Sequence, residues 1–381
     1  MTRALELAAR GLETTHPNPR VGCVIAQGEE IVGEGWHERA GEPHAEVNAL
    51  RAAGPKAVGA TAYVTLEPCS HHGRTPPCVD ALIAARVARV VFAAQDPNPR
   101  VSGRGAQALR QAGIATEPGL LEAEAAELNP GFLKRMRSGR PWVRVKLAMS
   151  LDGRTALANG ASQWITGPAA REDVQRWRAR SSAVLTGIGT VLADDPRLDV
   201  RLPDPPCGRP RLQPLRVVLD ARLQTPPDAR LLGTGGSVLI ITVAGHGDND
   251  VEFARRRAQL AQRGAAIEEV PASEPHASTG TPRRPSLAQM LDHLGRREIN
   301  ELWVEAGPRL AGALLEQSLV DELLLYVAPK LLGPQARPLV AMDELRQLQD
   351  APGFVVVETR QIGEDVRLRL RPHNRQLEEV E

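Results

Sequence analysis

Four residues in the first fifth of the sequence have side chains that can bind and use a metal ion. His44 and Glu46 lie in EPHAEVNAL, residues 42–50, and Cys69 and Cys78 lie in LEPCSHHGRTPPC, residues 66–78. Zinc prefers His nitrogen and Cys sulfur, and three protein ligands leave a fourth position for water, as in catalytic zinc sites. We therefore predict that His44, Cys69 and Cys78 are zinc ligands.

Glu46 is predicted to act beside the metal rather than to bind it. Zinc lowers the pKa of a bound water to about 7, and a neighbouring carboxylate can carry the proton of that water to a leaving amine. In zinc deaminases, the His and Cys residues of an H-x-E and P-C-x-x-C pattern bind the zinc, and the Glu transfers the proton. His44 and Glu46 match the first part and Cys69 the second, but eight residues instead of two separate the cysteines.

Two histidines between the cysteines leave a second interpretation open. His71 or His72 as a fourth ligand would close the site and make it structural. Such a site gains nothing from Glu46, which favours the catalytic interpretation. For His71 and His72 themselves, a place beside a substrate and an ordinary solvated position are equally compatible with the sequence.

The surrounding segments predict elements that bring the four residues to one edge of a sheet. Strands are predicted at 21–26, 30–36, 61–66 and 89–94, and helices near 44–53, 77–86 and 104–112, after an amphipathic N-terminal helix. His44 would then begin a helix, Cys69 would follow a strand, and Cys78 would begin the next helix. This alternation indicates a three-layer α/β domain.

The alternation starts again in the second part of the chain. Strands are predicted at 142–150, 182–187, 215–220, 237–244, 299–307, 321–329 and twice within 354–371, with helices near 168–180, 252–263, 286–296 and 308–318. We expect a first domain over 1–118, a helical connector over 119–142, a second α/β domain over 143–372 and a tail over 373–381. The Pro- and Ser-rich segment 270–286 is predicted to be a surface loop.

Composition narrows the class of protein. The 381 residues carry a net charge of +1 and only 3% aromatic residues, so neither a basic track nor stacking platforms for nucleic acid are expected.

There is no run of apolar residues long enough to span a bilayer, and the N-terminus lacks the features of a signal peptide. Four cysteines do not suggest a disulfide framework, which favours a reducing cytoplasm. Cys23 is expected to be a buried apolar residue, and Cys207 lies in a proline-rich stretch.

The motifs together resemble a known family. HPNPRVGCVI, GEPHAEVNAL, TAYVTLEPCSHHGRTPPCVDALI and QDPNPRVSGRG resemble the bifunctional deaminase/reductases of riboflavin biosynthesis, and KLAMSLDGRTA, SQWITGPAAR, TVLADDPRLDVR and WVEAGPRLAGALL extend the resemblance across the chain. It weakens only between about 203 and 290. The resemblance implies a three-layer cytidine-deaminase-like domain followed by an α/β domain similar to dihydrofolate reductase.

The resemblance also implies the reactions. A zinc-dependent step would hydrolyse the 2-amino group of 2,5-diamino-6-(5-phosphoribosylamino)pyrimidin-4(3H)-one. An NADPH-dependent step would then reduce the ribosyl chain of 5-amino-6-(5-phosphoribosylamino)uracil to the ribityl form. The expected partner is this small phosphoribosyl pyrimidine, with neither nucleic acid nor membrane, and a homo-oligomer is expected because soluble enzymes commonly form one. A non-catalytic nucleotide sensor is disfavoured by the presence of Glu46.

Residues of both sites follow from the same resemblance. The implied cofactor contacts are Ala148, Trp164, Thr190, Asp194, Gly307, Pro308, Arg309, Leu310, Ala311, Gly312 and Ala313. The implied substrate contacts are Asn18, Ser162, Arg178, Leu198, Arg201 and Glu305. Arg178 and Arg201 would hold the 5-phosphate of the substrate, although a single arginine is more often a solvated surface residue. Asn18, between two prolines, equally suits a turn.

Two features of the second domain suggest a binding site and a catalytic residue from the local sequence itself. VEAGPRLAGALL predicts a strand, a turn at Gly307 and a helix beginning at Pro308, whose exposed amides would form a site for a cofactor phosphate. An ordinary strand-to-helix turn would have the same sequence pattern. Lys146 lies among apolar residues of a predicted strand, where a lysine needs a reason. We assign it to the sugar oxygens at the point where hydride arrives.

Overall fold

The structure is a computed structural model that describes residues 1–71, 76–99, 101–204, 210–245, 250–273 and 283–373. His72, Cys207, residues 274–282 of the predicted surface loop and residues 374–381 of the predicted tail lie outside the described residues. The chain divides into two compact units, one of Met1–Pro141 with Glu298–Asn300 and the other of Trp142–Arg297 with Glu301–Glu381. None of the helices in the described ranges combines the length and apolar character needed to cross a membrane.

The first unit is a five-stranded mixed sheet with helices. Its elements are α1 (Thr2–Ala9), β1 (Gly22–Gln27), β2 (Glu30–Trp36), α2 (Ala45–Ala53), β3 (Thr61–Leu66), α3 (Cys78–Ala84), β4 (Arg89–Ala94), α4 (Arg104–Gln111), β5 (Ala115–Pro118), α5 (Glu122–Leu128) and α6 (Pro130–Ser138). The strand order is β2-β1-β3-β4-β5. β1 pairs antiparallel with β2 and β3, whereas β3, β4 and β5 run parallel.

Small residues let α2 pack closely on the sheet. Ala45, Ala49 and Ala53 recur every four residues, so they share one face of the helix, and all three are buried. That face covers Gly33 and Gly35 of β2, where an added Cβ would lie 2.3 Å from the Ala49 carbonyl oxygen and 2.4 Å from the Ala49 amide nitrogen, respectively. The close contact fixes the position of the helix whose first turn carries the predicted deaminase residues.

The segment predicted as a connector packs within the first unit. Residues 119–141 form α5 and α6, and their apolar side chains Ala125, Phe132 and Leu133 belong to the buried core of this unit. Asn129 between the two helices accepts a hydrogen bond from the Arg20 amide at 2.8 Å and donates one to the Arg20 carbonyl at 2.8 Å. The charged surface of these helices suggested a linker, but their apolar stripe is buried against the sheet.

The second unit is built on a nine-stranded sheet. Its elements are β6 (Trp142–Ser150), β7 (Arg154–Ala156), α7 (Pro168–Arg180), β8 (Ala183–Gly187), α8 (Ile188–Asp194), β9 (Leu215–Leu219), β10 (Val238–Val243), α9 (Val251–Gln262), β11 (Ala266–Val270), α10 (Leu287–Arg296), β12 (Glu301–Glu305), α11 (Pro308–Glu316), β13 (Glu322–Ala328), β14 (Arg337–Pro338), β15 (Phe354–Ile362) and β16 (Asp365–Pro372). The strand order is β11-β10-β9-β8-β12-β6-β13-β16-β15, and β7 pairs separately with β14.

The sheet of the second unit is parallel from β11 to β13, and β16 pairs antiparallel with both of its neighbours, β13 and β15. The central strands read as continuous apolar runs because both of their faces are covered. Ligands of open parallel sheets bind beyond the carboxyl ends of the strands. The strand ends at Gly187, Leu219 and Glu305 therefore mark the edge at which a site is expected.

A buried ion cluster in the middle of this sheet contacts two stacked tryptophans, Trp303 of β12 and Trp177 of the helix α7. Arg144, which is 1% exposed, lies 2.8 Å from Glu301 and also pairs with Glu322. The guanidinium of Arg144 lies over the Trp177 ring, 4.6 Å from the ring centroid. Trp177 in turn stacks on Trp303 with 6.0 Å between ring centroids. These charges are buried with their partners, as buried charges must be.

The sequence missed four parts of this architecture. β5, β7 with its partner β14, and β11 are short or rich in charged residues, so their apolar periodicity is weak. α8 is a seven-residue helix that begins directly after β8. Short elements of this kind gain their stability from tertiary neighbours rather than from local pattern.

Candidate active sites

His44, Cys69 and Cys78 converge in the first unit. Their ligand atoms lie within 4.8 Å of one another. His44 Nδ1 is 3.2 Å from Cys78 Sγ and 3.6 Å from Cys69 Sγ, and the Cys78 amide donates to Cys69 Sγ at 3.3 Å. His44 is the N-cap of α2 and Cys78 is the first residue of α3, as the sequence predicted.

This donor set suits a zinc ion. Tetrahedral zinc with Zn–S of about 2.3 Å and Zn–N of about 2.0 Å puts neighbouring ligand atoms roughly 3.6 Å apart, close to the spacings from His44 Nδ1 to the two sulfurs. A hydrogen bond from the Cys78 thiol, supported by one from His44, lowers the pKa of Cys69 against the effect of burial. This shift favours the thiolate, the form in which cysteine binds metal. His71 is not part of this cluster in the described ranges.

Glu46 lies beside the cluster. Its side chain is 3% exposed and hydrogen-bonds with the Cys78 thiol. Burial raises the pKa of Glu46, and the nearby Cys69 thiolate raises it further. A carboxylate whose pKa lies closer to neutrality is better suited to accept and release a proton in turn.

Two residues that the sequence analysis did not single out support this site. Glu67, 3% exposed, accepts hydrogen bonds from the amides of Gly103 at 3.0 Å and Ala106 at 3.1 Å, and so ties the loop before Cys69 to the start of α4. The sequence signal for Glu67 was its position at a strand end, directly before a Pro-Cys pair. Carboxylates are favoured at helix N-termini by the exposed amides.

His37 is the second such residue. It is 2% exposed, its Nε2 lies 3.0 Å from Asn18 Nδ2, and its Nδ1 lies 3.2 Å from the Pro43 carbonyl oxygen. The His37 and His44 rings meet edge to face with 5.2 Å between centroids. The structure thus brings Asn18 next to the metal-ligand cluster through His37, and burial lowers the pKa of His37.

In the second unit, a cavity of about 3080 Å³ opens along the carboxyl edge of the parallel strands. Most of the predicted reductase residues line it: Lys146, Ala148, Ser162, Trp164, Arg178, Thr190, Asp194, Leu198, Arg201, Glu305, Gly307, Pro308, Arg309, Leu310 and Ala313. Trp164 is 61% exposed, and the Arg171 guanidinium lies 4.5 Å from the centroid of its ring. The Leu198 side chain is packed in the core, so this residue offers mainly backbone to the cavity.

Arg178 and Arg201 have different surroundings. Arg178 is 7% exposed, and its three guanidinium nitrogens already donate, two to Glu305 and one to the Asp199 carbonyl. Arg201 has a half-exposed side chain and pairs with the Asp199 carboxylate at 2.7 Å. Glu305 and the Asp199 carbonyl take three of the five N–H groups of Arg178, and a contact from Arg178 to the substrate phosphate stays a prediction. Arg197, which the sequence analysis missed, pairs with the same Asp199 carboxylate and lines the cavity.

Lys146 lies opposite Glu305 in the register of β6 and β12. Burial lowers the pKa of the Lys146 amine, Glu305 opposes this effect and Arg178 adds to it. A lysine with a lowered pKa can give up a proton more readily than a solvated one. Its position and its pKa both suit a group that donates a proton to a developing oxygen.

The first turn of α11 presents amides that have no backbone partner in the described part of the chain to the same cavity. Pro308 has no N–H, and the amides of Arg309 and Leu310 have no carbonyl one turn earlier in the helix to bond. An added Cβ on Gly307 would approach only Thr190 Oγ1, at 3.9 Å, so the backbone is open to a phosphate there.

Two residues of the same helix do not face the cavity. Ala311 is fully buried, and its amide already donates to the Gly307 carbonyl at 3.2 Å. An added Cβ on Gly312 would lie 2.0 Å from the Ala341 carbonyl oxygen. The helix turn of about 100° per residue rotates the Ala311 side chain and the Cα of Gly312 toward the protein interior.

Comparisons with known proteins agree with this architecture. Residues 1–94 match the model of the cytidine and deoxycytidylate deaminase zinc-binding region, and residues 141–368 match that of the RibD C-terminal domain. The chain is 52% identical over 379 residues to the riboflavin biosynthesis protein RibD of Escherichia coli K12, covering 97% of this chain and 98% of that one. It is 47% identical over 388 residues to RibD of Haemophilus influenzae, covering 98% and 96%.

Solved structures show the same likeness. RibD of Acinetobacter baumannii aligns with a TM-score of 0.87 at 46% identity, covering 98% of each chain. A protein of Thermotoga maritima, titled diaminohydroxyphosphoribosylaminopyrimidine deaminase/5-amino-6-(5-phosphoribosylamino)uracil reductase, aligns with a TM-score of 0.81 at 32% identity, covering 98% and 97%.

The fold and the sites define a two-domain α/β enzyme that joins a zinc-binding deaminase to a reductase. The chain belongs to the RibD family of riboflavin biosynthesis proteins. It is accordingly a bifunctional deaminase and reductase of the riboflavin pathway that acts on a small-molecule substrate, as the sequence predicted. The predicted fold class is confirmed with it.

Proposed function

We propose that the first unit deaminates 2,5-diamino-6-(5-phosphoribosylamino)pyrimidin-4(3H)-one and that the second unit reduces the product, 5-amino-6-(5-phosphoribosylamino)uracil, with NADPH. The observation that carries the proposal is the convergence of His44, Cys69 and Cys78 beside the buried Glu46. The relative from Thermotoga maritima bears the names of these two activities. The reductase substrate is then the product of the deaminase.

In the deamination, His44, Cys69 and Cys78 would hold zinc and Glu46 would move the proton. Zinc, when bound, would supply Lewis-acid activation of the attacking water. Water adds to C2 of the pyrimidine and ammonia leaves, so an oxygen replaces the amino group at C2. Glu46 accepts the proton of the water and passes it to the leaving amine, a task suited to its raised pKa. Asn18, fixed by His37, would orient the pyrimidine.

In the reduction, Lys146, Glu305 and Arg201 would position the ring-opened ribosyl chain. Opening of the ribose ring breaks the bond between C1 and the ring oxygen and leaves a double bond between C1 and the amine nitrogen. Lys146 would deliver a proton to the ring oxygen as this bond breaks, because its lowered pKa favours release. NADPH, when bound, would supply the hydride to C1. Glu305 would accept a hydrogen bond from a sugar hydroxyl, and Arg201 would contact the 5-phosphate. Ser162 and the Leu198 backbone would complete the substrate contacts.

The cofactor would lie along the strand ends of the second unit. Its phosphates would meet the amides of Arg309 and Leu310, next to Gly307 and Thr190. Trp164 would cover the nicotinamide end, where its exposed ring offers a flat apolar surface. Ala148, Asp194, Pro308 and Ala313 would complete the contacts, whereas Ala311 and Gly312 would support the helix from its buried side.

We also propose which part of the chain carries each activity. Residues 1–118 would carry the deaminase, 143–372 the reductase, and 119–142 would join them while completing the core of the first unit. The enzyme would act as a homo-oligomer in the cytoplasm. The three described cysteines, Cys23, Cys69 and Cys78, form no disulfide, which supports this proposal because disulfides are rare in reducing compartments.

A two-stage assay tests the proposed function. The purified full chain is incubated with the diaminopyrimidine substrate alone, and released ammonia is measured. NADPH is then added, and its absorbance is followed. We expect ammonia release without NADPH, followed by NADPH oxidation that depends on the first product. Ammonia release that requires NADPH, or NADPH oxidation without prior deamination, would contradict the proposed order.

A further inference from the structure

Trp303 reaches the reductase site from inside the sheet. Trp303 and Glu305 are two residues apart on β12, so the alternation of a strand puts both side chains on the same face. The indole Nε1 of Trp303 donates to Glu305 Oε1 at 2.7 Å. Trp303 itself is fully buried, so its N–H would lose a hydrogen bond altogether if Glu305 moved away.

The contacts of Glu305 leave its two oxygens unequal. Oε1 accepts from Trp303 and from Arg178 Nε, whereas Oε2 accepts from Arg178 Nη2 at 2.8 Å. A carboxylate has about four acceptor positions, so in the described part of the chain the position left open is on Oε2. Glu305 lines the cavity that contains Lys146. The open acceptor position is therefore the one available to a ligand in that cavity.

We propose that Trp303 is a positioning residue of the reductase. Its N–H occupies Oε1 and so leaves Oε2 as the single acceptor for a hydroxyl of the ribosyl chain. This inference rests on the proposed role of Glu305 in substrate binding. Trp303 does not touch the substrate; it acts by adding a second donor at Oε1 to the bidentate contact of Arg178, which holds the carboxylate in one rotation.

The packing around Trp303 offers a matched control. Trp177 stacks on Trp303 with ring planes only 2° from parallel, and both belong to the same buried cluster. Trp177 is 8% exposed and makes no hydrogen bond to Glu305 among those described. Replacing either tryptophan by phenylalanine keeps an aromatic ring and removes similar volume, but only the change at Trp303 removes the donor to Glu305.

The test compares Trp303→Phe with Trp177→Phe in the full chain, with deaminated uracil substrate and NADPH. Because a charge-assisted hydrogen bond is lost, Trp303→Phe should lower kcat/KM for the uracil substrate by about tenfold. The KM for NADPH should stay within about twofold of the original, since the lost bond is local. Trp177→Phe should change kcat/KM for the substrate by less than about twofold. It should lower the melting temperature about as much as Trp303→Phe does. Equal effects of the two changes on kcat/KM would overturn the proposal.

A second comparison separates positioning from general packing. In a Glu305→Gln background the acceptor is neutral, and a neutral hydrogen bond has about half the free energy of a charge-assisted one. Trp303→Phe should then cost only about threefold, the square root of the tenfold effect. A packing role would give the same factor in both backgrounds and would overturn the inference.

The outcomes for Glu305 distinguish the inference from the function on which it rests. If Glu305→Gln alone lowers reductase activity while Trp303→Phe does not, only the role of Trp303 is wrong. If Glu305→Gln leaves the reductase unchanged, the proposed substrate contact at Glu305 is wrong and the inference fails with it. Ammonia release, which depends on the first unit, should stay unchanged in each variant, and the melting temperature of the second unit checks that this unit is folded.

Discussion

Arg178 and Glu305 form a bidentate ion pair, with Nε–Oε1 of 2.5 Å and Nη2–Oε2 of 2.8 Å. Both residues were predicted to contact substrate. Their pairing instead makes Arg178 the group that keeps Glu305 ionised. Burial alone would raise the pKa of Glu305, but Arg178, with a smaller contribution from Lys146, brings it down to about 2.

Arg178→Gln should therefore change the pH dependence of the reductase. With Arg178 present, Glu305 stays ionised at every pH above about 3. Without that charge, burial dominates and the pKa of Glu305 rises, so the carboxylate becomes protonated as the pH falls through the raised value. We expect the variant to lose reductase activity on the acid side of neutrality, where the original enzyme does not. A pH series of kcat/KM checks this, and an unchanged profile would contradict it.

The same pair should contribute to stability in a defined pH window. A carboxylate whose pKa is lowered in the folded state stabilises it above the unfolded pKa, about 4.5 for this group, and the contribution is lost as the pH falls toward about 2. The difference in unfolding free energy between the original chain and Arg178→Gln should therefore be largest near neutral pH and shrink in acid. Denaturant unfolding at pH 7 and pH 3 measures it.

Arg201→Ala should weaken the binding of substrate in the reductase and leave the binding of NADPH nearly unchanged. A lost charge-assisted contact to phosphate should raise the KM for the uracil substrate by about tenfold. Arg197→Ala is the matched comparison, since Arg197 pairs with the same Asp199 carboxylate and is similarly exposed. A larger rise in the KM for NADPH than in that for the substrate would reverse the assignment of Arg201.

Glu46→Gln should separate the two activities. Glutamine keeps the size of the side chain but cannot accept a proton, so deamination should fall by about a hundredfold or more while zinc stays bound. With the already deaminated substrate, the variant should oxidise NADPH at nearly the normal rate. Loss of both activities in a folded variant would mean that the two sites are not separable, and retention of both would remove Glu46 from the mechanism.

Cys78→Ser should release zinc and end deamination. Serine is a much poorer ligand for zinc than a thiolate, and Cys78 also contacts both His44 and Cys69. Elemental analysis of the purified variant measures the metal content. Cys23→Ser, at a buried cysteine outside the cluster, is the control and should retain zinc. Full zinc occupancy and normal ammonia release in Cys78→Ser would disprove the assignment.

Gly35→Ala should disturb the deaminase through the position of α2. The added methyl group would lie 2.4 Å from the Ala49 amide nitrogen and 2.6 Å from the Ala45 carbonyl oxygen, so the helix must shift. We expect an overpacking cost of about 1–3 kcal/mol in unfolding free energy. Ammonia release should fall with it, because His44 and Glu46 lie at the start of this helix. Unfolding curves and the ammonia assay check both expectations.

The sequence by itself determined the residue chemistry and most of the elements. His44, Cys69 and Cys78 could be assigned to one metal site because ligand type and strand-to-helix order are local properties, and the apolar periodicity of β1 to β4 is strong. The motif resemblance determined the family, since its residues are spread along nearly the whole chain.

Only the tertiary structure decided which charges pair. Arg178 and Glu305 are 127 residues apart, and nothing local in either segment marks them as partners. Nothing local in the sequence marks the hydrogen bond between His37 and Asn18 either, or the burial of the helices at 119–141. A pKa, a free acceptor position and a buried face depend on neighbours that are distant in sequence. These properties therefore arise only when the strands are assembled into sheets.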